Sequence, residues 1–334
     1  MTRFAQIIGI GSYLPERVMT NADFESIVDT TDEWISSRTG IRERRIVGEG
    51  ESTSDLAVRA AQAAMTRAGV SAEEIDLLVL GTTSPDFIFP STACVAQAKL
   101  GLTCPAFDVM AACTSFIYAL HSGVSAIESG RAETVLVIGA EALTRFVDFT
   151  DRATCVLFGD GAGAVVLRAA EEPGVESIVL GADGSGEDLL KIPAGGACTP
   201  STASTMAAGD QFLKMAGNDV YKFAVRVIPK ATREALALSG HTLDELRWLI
   251  PHQANKRIVD TVEERLGIGD DRVYNNIGPT GNTSAASIPL AMDDLYTSGR
   301  LSPGDLLALV GFGAGLTWGS AVLRWTMTPP DRKE

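Results

Sequence analysis

Cys113 stands where two periodicities meet. Ala106-Phe107-Asp108-Val109-Met110 reads as a short buried strand, and from Ser115 onward apolar residues recur at helical spacing. The cysteine therefore falls at a strand–turn–helix junction, in the first turn of a helix. Free N–H groups and the positive end of the helix dipole favour a thiolate there. Such a junction presents a nucleophile at the carboxyl edge of a sheet. A lone cysteine among alanines is more often a small buried hydrophobe, so the chemistry needs partners. His252, in Leu249-Ile250-Pro251-His252-Gln253-Ala254-Asn255, follows a buried strand broken at proline and can act as acid, base or hydrogen-bond donor. The other two histidines, His121 and His241, fit a helix and a turn before a strand. Asn282, in Gly281-Asn282-Thr283-Ser284, suits a helix N-cap, and its amide can also donate to an oxygen that gains negative charge. The loop Gly311-Phe312-Gly313-Ala314-Gly315 can bring backbone N–H groups against a ligand.

The elements that must position these residues read as two similar halves. Ala68-Gly69-Val70-Ser71-Ala72-Glu73-Glu74-Ile75 leads into Leu77-Leu78-Val79-Leu80, and Ser239-Gly240-His241-Thr242-Leu243-Asp244-Glu245-Leu246 leads into Trp248-Leu249-Ile250. Each is a helix ending at glycine, an acidic turn and a buried strand, preceded by amphipathic helices over Ser54–Ala68 and about Val220–Leu238. The two glycines lie 171 positions apart (240 minus 69), which sets Cys113 opposite Ser284 and Gly81 opposite His252. Packing such halves about a pseudo-two-fold axis would turn Cys113, His252 and Asn282 toward one cleft. The halves are expected at 1–170 and 171–334, with a loop-rich insert about 183–210 that reads as a functional cover or a mobile loop.

Bulk properties narrow the class. A chain of 334 residues is long enough for two lobes or one large α/β unit, and 46% hydrophobic with 21% charged content describes a compact enzyme-like body rather than a disordered chain. The net charge of −14 argues against a nucleic-acid partner, which demands a cationic face. No apolar run approaches the roughly 20 residues of a membrane span, and the opening residues read as a strand rather than a signal peptide. The five cysteines form no C-x-x-C pair, so neither a zinc knuckle nor a disulfide framework is expected. These readings point to a cytoplasmic protein without a metal. Gly159-Asp160-Gly161-Ala162-Gly163 lacks the spacing of a dinucleotide fingerprint.

The residues around Cys113, Pro251-His252-Gln253-Ala254-Asn255, Gly281-Asn282-Thr283-Ser284 and Gly311-Phe312-Gly313-Ala314-Gly315 together resemble the beta-ketoacyl-acyl-carrier-protein synthase III family. Asp32-Glu33-Trp34-Ile35, Arg38-Thr39-Gly40-Ile41-Arg42, Asp151-Arg152-Ala153-Thr154 and Phe158-Gly159-Asp160-Gly161 are similar to the same family. The resemblance runs from about residue 3 to 325. It implies a thiolase-like fold, with two duplicated βαβ-type halves in five layers, α-β-α-β-α. It also implies a Cys113–His252–Asn282 triad and initiation of fatty-acid synthesis, in which an acyl-CoA primer condenses with malonyl-acyl-carrier protein. A related thioester-condensing synthase of secondary metabolism, making a polyketide, quinolone or long-chain ketone, is the alternative.

By the same resemblance, Ala314 supplies an oxyanion-hole N–H and Phe312 presses on the malonyl carboxylate. Trp34, Arg38, Arg152, Gly217 and Asn255 match CoA-binding positions. Phe89, Leu213 and Met215 match the acyl pocket, Phe89 reaching into that of a partner subunit in a homodimer. Lys222, Lys256, Arg257 and Arg265 could form a basic patch for the acidic carrier protein, with Glu264 as an acidic interruption. No cofactor is implied, acyl-CoA being a substrate. Two departures stand out: Ser115 where the family usually has glycine, and Ala314 where it has another.

Overall fold

The structure, a computed structural model, describes residues 3–329 of the chain. The first half runs β1 (Phe4–Tyr13), β2 (Arg17–Thr20), α1 (Asn21–Glu25), α2 (Asp32–Thr39), β3 (Glu43–Ile46), α3 (Thr53–Ala68), β4 (Leu77–Gly81), α4 (Thr92–Leu100) and β5 (Ala106–Val109). It continues through α5 (Ser115–Glu128), β6 (Thr134–Glu141), α6 (Arg152–Cys155) and β7 (Gly161–Ala170). The second half opens with β8 (Val175–Ala182), β9 (Leu190–Lys191), α7 (Ala203–Ala207), β10 (Lys214–Met215), α8 (Gly217–Ser239) and β11 (Trp248–Pro251). It closes with α9 (Lys256–Leu266), α10 (Ile277–Thr280), α11 (Ser287–Thr297), β12 (Leu306–Gly313) and β13 (Thr317–Arg324).

Two sheets carry the duplication. One is ordered β1-β7-β6-β4-β5, and the other, read from the matching edge, β8-β13-β12-β11. Pairing senses agree strand for strand: antiparallel, antiparallel, then parallel. The first sheet adds β5 in parallel, where the second keeps only the isolated parallel bridge Leu249–Val273. Helices α3 and α4 cover one outer face and α8 the other, with α9 packed on α8. Between the sheets lie α5, which touches both, and α11, which rests on β7, β1 and β11. That gives the five expected layers. The middle layer is apolar on all sides because it has two sheets to satisfy: Phe116, Ile117, Leu120, Ile288, Met292 and Leu295 are all buried in one cluster.

Local signals explain the outer helices. A Ser52–Asp55 capping box opens α3, and Gly69 at φ 64° ends it. Helix α8 spans 23 residues through an internal Pro229, which cannot bond the carbonyl four residues back. That carbonyl, of Val225, accepts instead from Nη1 of Arg265 on α9 at 2.9 Å. Thus an arginine side chain repairs the helix that proline interrupts.

The 183–210 segment departs from the expected loop. It folds a 3-10 turn over Gly184–Leu189, β9 and the Thr202-capped α7, and β9 pairs with β10. Asp183 and Leu316 exchange backbone bonds of 2.8 and 2.7 Å, tying the segment to the glycine-rich hairpin. Its many small polar residues serve these short caps and turns rather than a disordered cover.

Candidate active site

Cys113 lies in a 3-10 turn, Ala112–Thr114, that joins the end of β5 to α5. The corresponding turn of the other half is Ser284–Ala286, just ahead of α11. The turns start 172 residues apart (284 minus 112), so Cys113 faces Ala285 in the duplication, and the expected match to Ser284 is one residue out. Ala112 and Ser284 are the equivalents, and both hold left-handed backbone, with φ of 50° and 48°. Such conformations cost non-glycine residues about 1–3 kcal/mol and persist where surroundings impose them. Ser115, the departure from glycine, helps impose the first. Its Oγ accepts the Ala111 N–H at 2.8 Å and donates to the Ala112 carbonyl at 2.7 Å. Ser287 is its counterpart in the other half.

His252 follows β11 directly, held by its own N–H to the Val310 carbonyl at 2.8 Å. Its Nδ1 lies 2.6 Å from Ser287 Oγ, and its ring meets Phe312 edge-on at 5.6 Å. Asn282 is strapped to the first half, receiving and returning backbone bonds with Leu157 (2.8 Å) and Gly159 (3.0 Å). Its Oδ1 accepts the Ser284 N–H at 2.9 Å, which leaves the amide NH2 as the group free to donate. Gly313 packs so tightly on the nucleophile turn that a Cβ there would stand 2.7 Å from the Cys113 nitrogen.

These side chains line one cavity of about 480 Å³, with Cys113, His252, Asn282, Phe312 and Gly313 in its wall. Trp34, Arg38, Met215, Gly217, Asn255 and Arg257 line the same cavity. Burial dominates the electrostatics. It pushes the Cys113 thiol up to about 12, a Ser284 hydrogen bond opposing and the Glu141 carboxylate reinforcing the shift. It pulls His252 down to about 3. Both shifts favour the uncharged forms, a thiol and a neutral imidazole. Burial thus works against the thiolate expected from the helix dipole, and α5 begins two residues beyond Cys113.

Residues 107–184 match the family model described as 3-oxoacyl-[acyl-carrier-protein (ACP)] synthase III, and residues 236–325 match that of its C-terminal part. A beta-ketoacyl-[acyl-carrier-protein] synthase III of Xanthomonas euvesicatoria is 54% identical over 323 residues, covering 96% of this chain and 98% of the relative. The chain belongs to the 3-oxoacyl-[acyl-carrier-protein] synthase III family. Among solved structures, the synthase III of Aquifex aeolicus superposes with a TM-score of 0.89 at 45% identity, covering 96% of this chain and all of that one. The priming beta-ketosynthase of the R1128 polyketide pathway gives 0.92 at 37%, covering 98% of each.

Other residues expected from synthase III resemblance distribute unevenly. Trp34 is flanked by two guanidinium groups, Arg152 at 4.9 Å and Arg38 at 5.7 Å from the ring centre. Ala314 sits half-buried at the hairpin turn, one residue beyond the cavity wall. Leu213 is buried in a cluster with Phe24, Leu143 and Phe158 rather than on the cavity, whereas Met215 reaches it. Phe89 is 84% exposed and does not line its own chain's cavity. Of the four basic residues, only Arg257 lines the cavity. Lys222 and Lys256 are paired with Asp219 and Asp260 on their own helices, and Arg265 is the α8 repair. Sequence reasoning missed Glu141, Ser284 and Ser287 as polar neighbours of the triad. The only signal was an acid closing an otherwise apolar strand, and hydroxyls in a turn read for its asparagine.

Proposed function

We propose that the protein performs a decarboxylative Claisen condensation, joining an acyl-CoA primer to malonyl-acyl-carrier protein and releasing a 3-ketoacyl-carrier protein, the first carbon–carbon bond of fatty-acid synthesis. The observation that carries this reading is the convergence of a nucleophile, Cys113, with two neutral donors, His252 and the Asn282 amide, on one cavity. In the first step Cys113 sulfur bonds the acyl carbon, the CoA sulfur leaves, and the thiol proton departs with it. Backbone N–H groups of Cys113 and Ala314 would meet the oxyanion. In the second step the His252 Nε2–H and Asn282 NH2 hydrogen-bond the malonyl thioester oxygen. Carbon dioxide leaves, and the enolate carbon attacks acyl-Cys113, expelling its sulfur. A neutral imidazole suits this task, since donation needs no imidazolium. Phe312, edge-on to His252, gives the malonyl carboxylate an apolar wall that favours its loss as an uncharged product.

The indole between two guanidiniums offers a slot for adenine and its phosphates, with Gly217 and Asn255 further along the cavity wall. Carrier protein would approach at Arg257, with Lys222 and Lys256 contributing if their helix partners release them. Phe87, Ile88, Phe89, Phe107 and Met110 form an exposed apolar group beside the unpaired edge strand β5, which supports a homodimer joined there. No helix of the described residues is long and apolar enough to cross a membrane. The reading includes a cytoplasmic location, where the two thioesters meet, and no bound cofactor.

Mass spectrometry of the Cys113 peptide after exposure to a panel of acyl-CoAs tests the first step and reads the primer. Addition of malonyl-carrier protein against malonyl-CoA tests the second substrate. An unmodified Cys113, or acylation persisting in Cys113→Ser, would exclude the mechanism. Preference for malonyl-CoA would favour a synthase of secondary metabolism.

A further inference from the structure

We propose that Thr317 is a positioning residue for acyl transfer: its hydroxyl ties the turn that carries Cys113 to the hairpin that carries Ala314, and so sets the spacing of the two backbone N–H groups offered to the oxyanion. The inference deepens the proposed function and rests on Cys113 being the acylated residue.

Three groups meet Thr317 Oγ1: the Ala111 carbonyl at 2.9 Å, the Ala314 carbonyl at 3.1 Å and Thr114 Oγ1 at 3.1 Å. Carbonyls only accept, and a hydroxyl has one proton. Thr317 therefore shares its proton between the two carbonyls and accepts that of Thr114. Thr114 has no exposed surface, so its hydroxyl needs this acceptor. Ala111 and Thr114 bracket Cys113 in the nucleophile turn, and Ala314 stands at the hairpin tip. One oxygen atom thus joins the two segments.

No other side chain in the turn does this work. Ser115 Oγ bonds Ala111 and Ala112 alone, which fixes the shape of the turn but not its distance from the hairpin. Gly313, opposite Thr317 in the β12–β13 pair, limits how closely the two can approach, since a Cβ there would stand 2.7 Å from the Cys113 nitrogen. Thr317 limits how far they can part.

The duplication shows what is special here. Glu141 closes β6 as Gly313 closes β12, 172 positions on (313 minus 141), the offset that matches Ala112 with Ser284. In the other turn the Glu141 carboxyl accepts the N–H of Ala285, the counterpart of Cys113, at 3.4 Å. Glycine at 313 has no side chain with which to claim the Cys113 N–H. Thr317 supplies the anchor instead, through two carbonyls and a hydroxyl. A turn held by its carbonyls keeps an N–H for a substrate oxygen, which is what oxyanion stabilisation requires.

Thr317→Val keeps the branched shape and loses the hydroxyl. At saturating acyl-CoA, transfer to Cys113 should fall about tenfold to a hundredfold, the scale for reacting groups displaced by up to an ångström, with the KM for acyl-CoA unchanged. Alkylation of Cys113 by iodoacetamide forms no oxyanion, so its rate should stay at the wild-type value, read peptide by peptide apart from exposed Cys94 and Cys198. Thr317→Ser, which retains the hydroxyl, should restore transfer. Wild-type transfer in Thr317→Val, or an equal fall in transfer and alkylation, overturns the proposal. Should Thr317→Val not fold, Thr317→Ser and Thr317→Ala differ by the hydroxyl alone: faster transfer in the serine variant is expected, and equal rates overturn the proposal. Failure of acyl-CoA to label wild-type Cys113 would sink the proposed function separately.

Discussion

Ser287 Oγ and His252 Nδ1 lie 2.6 Å apart, in the second half's counterpart of the place where Ser115 braces the nucleophile turn. The Gln253 N–H also points at Ser287 Oγ, at 3.4 Å, so the hydroxyl has its own proton to give to Nδ1. That arrangement leaves the imidazole proton on Nε2, facing the cavity. Ser287→Ala should therefore slow loss of carbon dioxide from the malonyl thioester by roughly tenfold to a hundredfold, the range for outer partners that orient an imidazole. Acylation of Cys113 should hold its rate. Single-turnover measurement of the two steps checks this, and equal losses in both would contradict the tautomer argument.

Arg265 and Arg257, on the same helix, should behave differently. Arg265→Ala strands the carbonyl that Pro229 leaves without a helical partner, costing about 1 kcal/mol. For a chain of 334 residues that is roughly 1–2 °C in melting temperature. Arg257→Glu should leave melting unchanged and raise the KM for carrier protein, with a weaker dependence of that KM on salt. Thermal melts and a salt series on both variants separate scaffold from surface.

Gly313→Ala puts a methyl group against main chain rather than against a side chain that could swing away. Either the hairpin or the Cys113 turn must yield, at about 1–3 kcal/mol. Acyl transfer to Cys113 should fall at least tenfold while CoA binding, proposed at Trp34, persists. Titration calorimetry with CoA beside acylation rates is the measurement.

Asp160 offers a pH signature. Its carboxyl is buried and pushed up to about 6, although Thr144 and the Val47 N–H bond it. A raised carboxyl binds its proton more tightly in the folded than in the unfolded chain. Its contribution is thus fully present below about pH 4 and lost as pH rises through about 6. The stability difference between wild type and Asp160→Asn, from urea unfolding, should shrink in the wild type's disfavour across that window. A difference constant from pH 4 to 7 would show the shift to be absent.

Much of the architecture was legible because it is written in local signals. Gly69 and Gly240 end α3 and α8 where the repeat places them, and the acidic turns and buried strands follow. Cys113, His252 and Asn282 could be set in one cleft because each sits at the end of a strand or the start of a helix. The register slipped by one residue because the second half carries an extra position before its turn, so a constant offset fails there. Glu141 was hidden for another reason: its partners are 59 residues away at Thr82 and 143 away at Ser284, with no periodic pattern joining them. The burial that opposes a Cys113 thiolate was hidden because local helix geometry is visible in sequence and depth of burial is not. Pro229 inside α8 was a visible flag for Arg265, but only the packing of α9 shows which side chain answers it.

The duplicated sheets have one further consequence. Each half has its own sheet, yet the proposed nucleophile belongs to one and the proposed donors to the other, and Asn282 is fastened to the first half by its own main chain. Cutting the gene near the junction of β7 and β8 would yield two polypeptides that are each inert. Restored turnover on mixing would report their reassociation, making this enzyme a natural template for a split reporter.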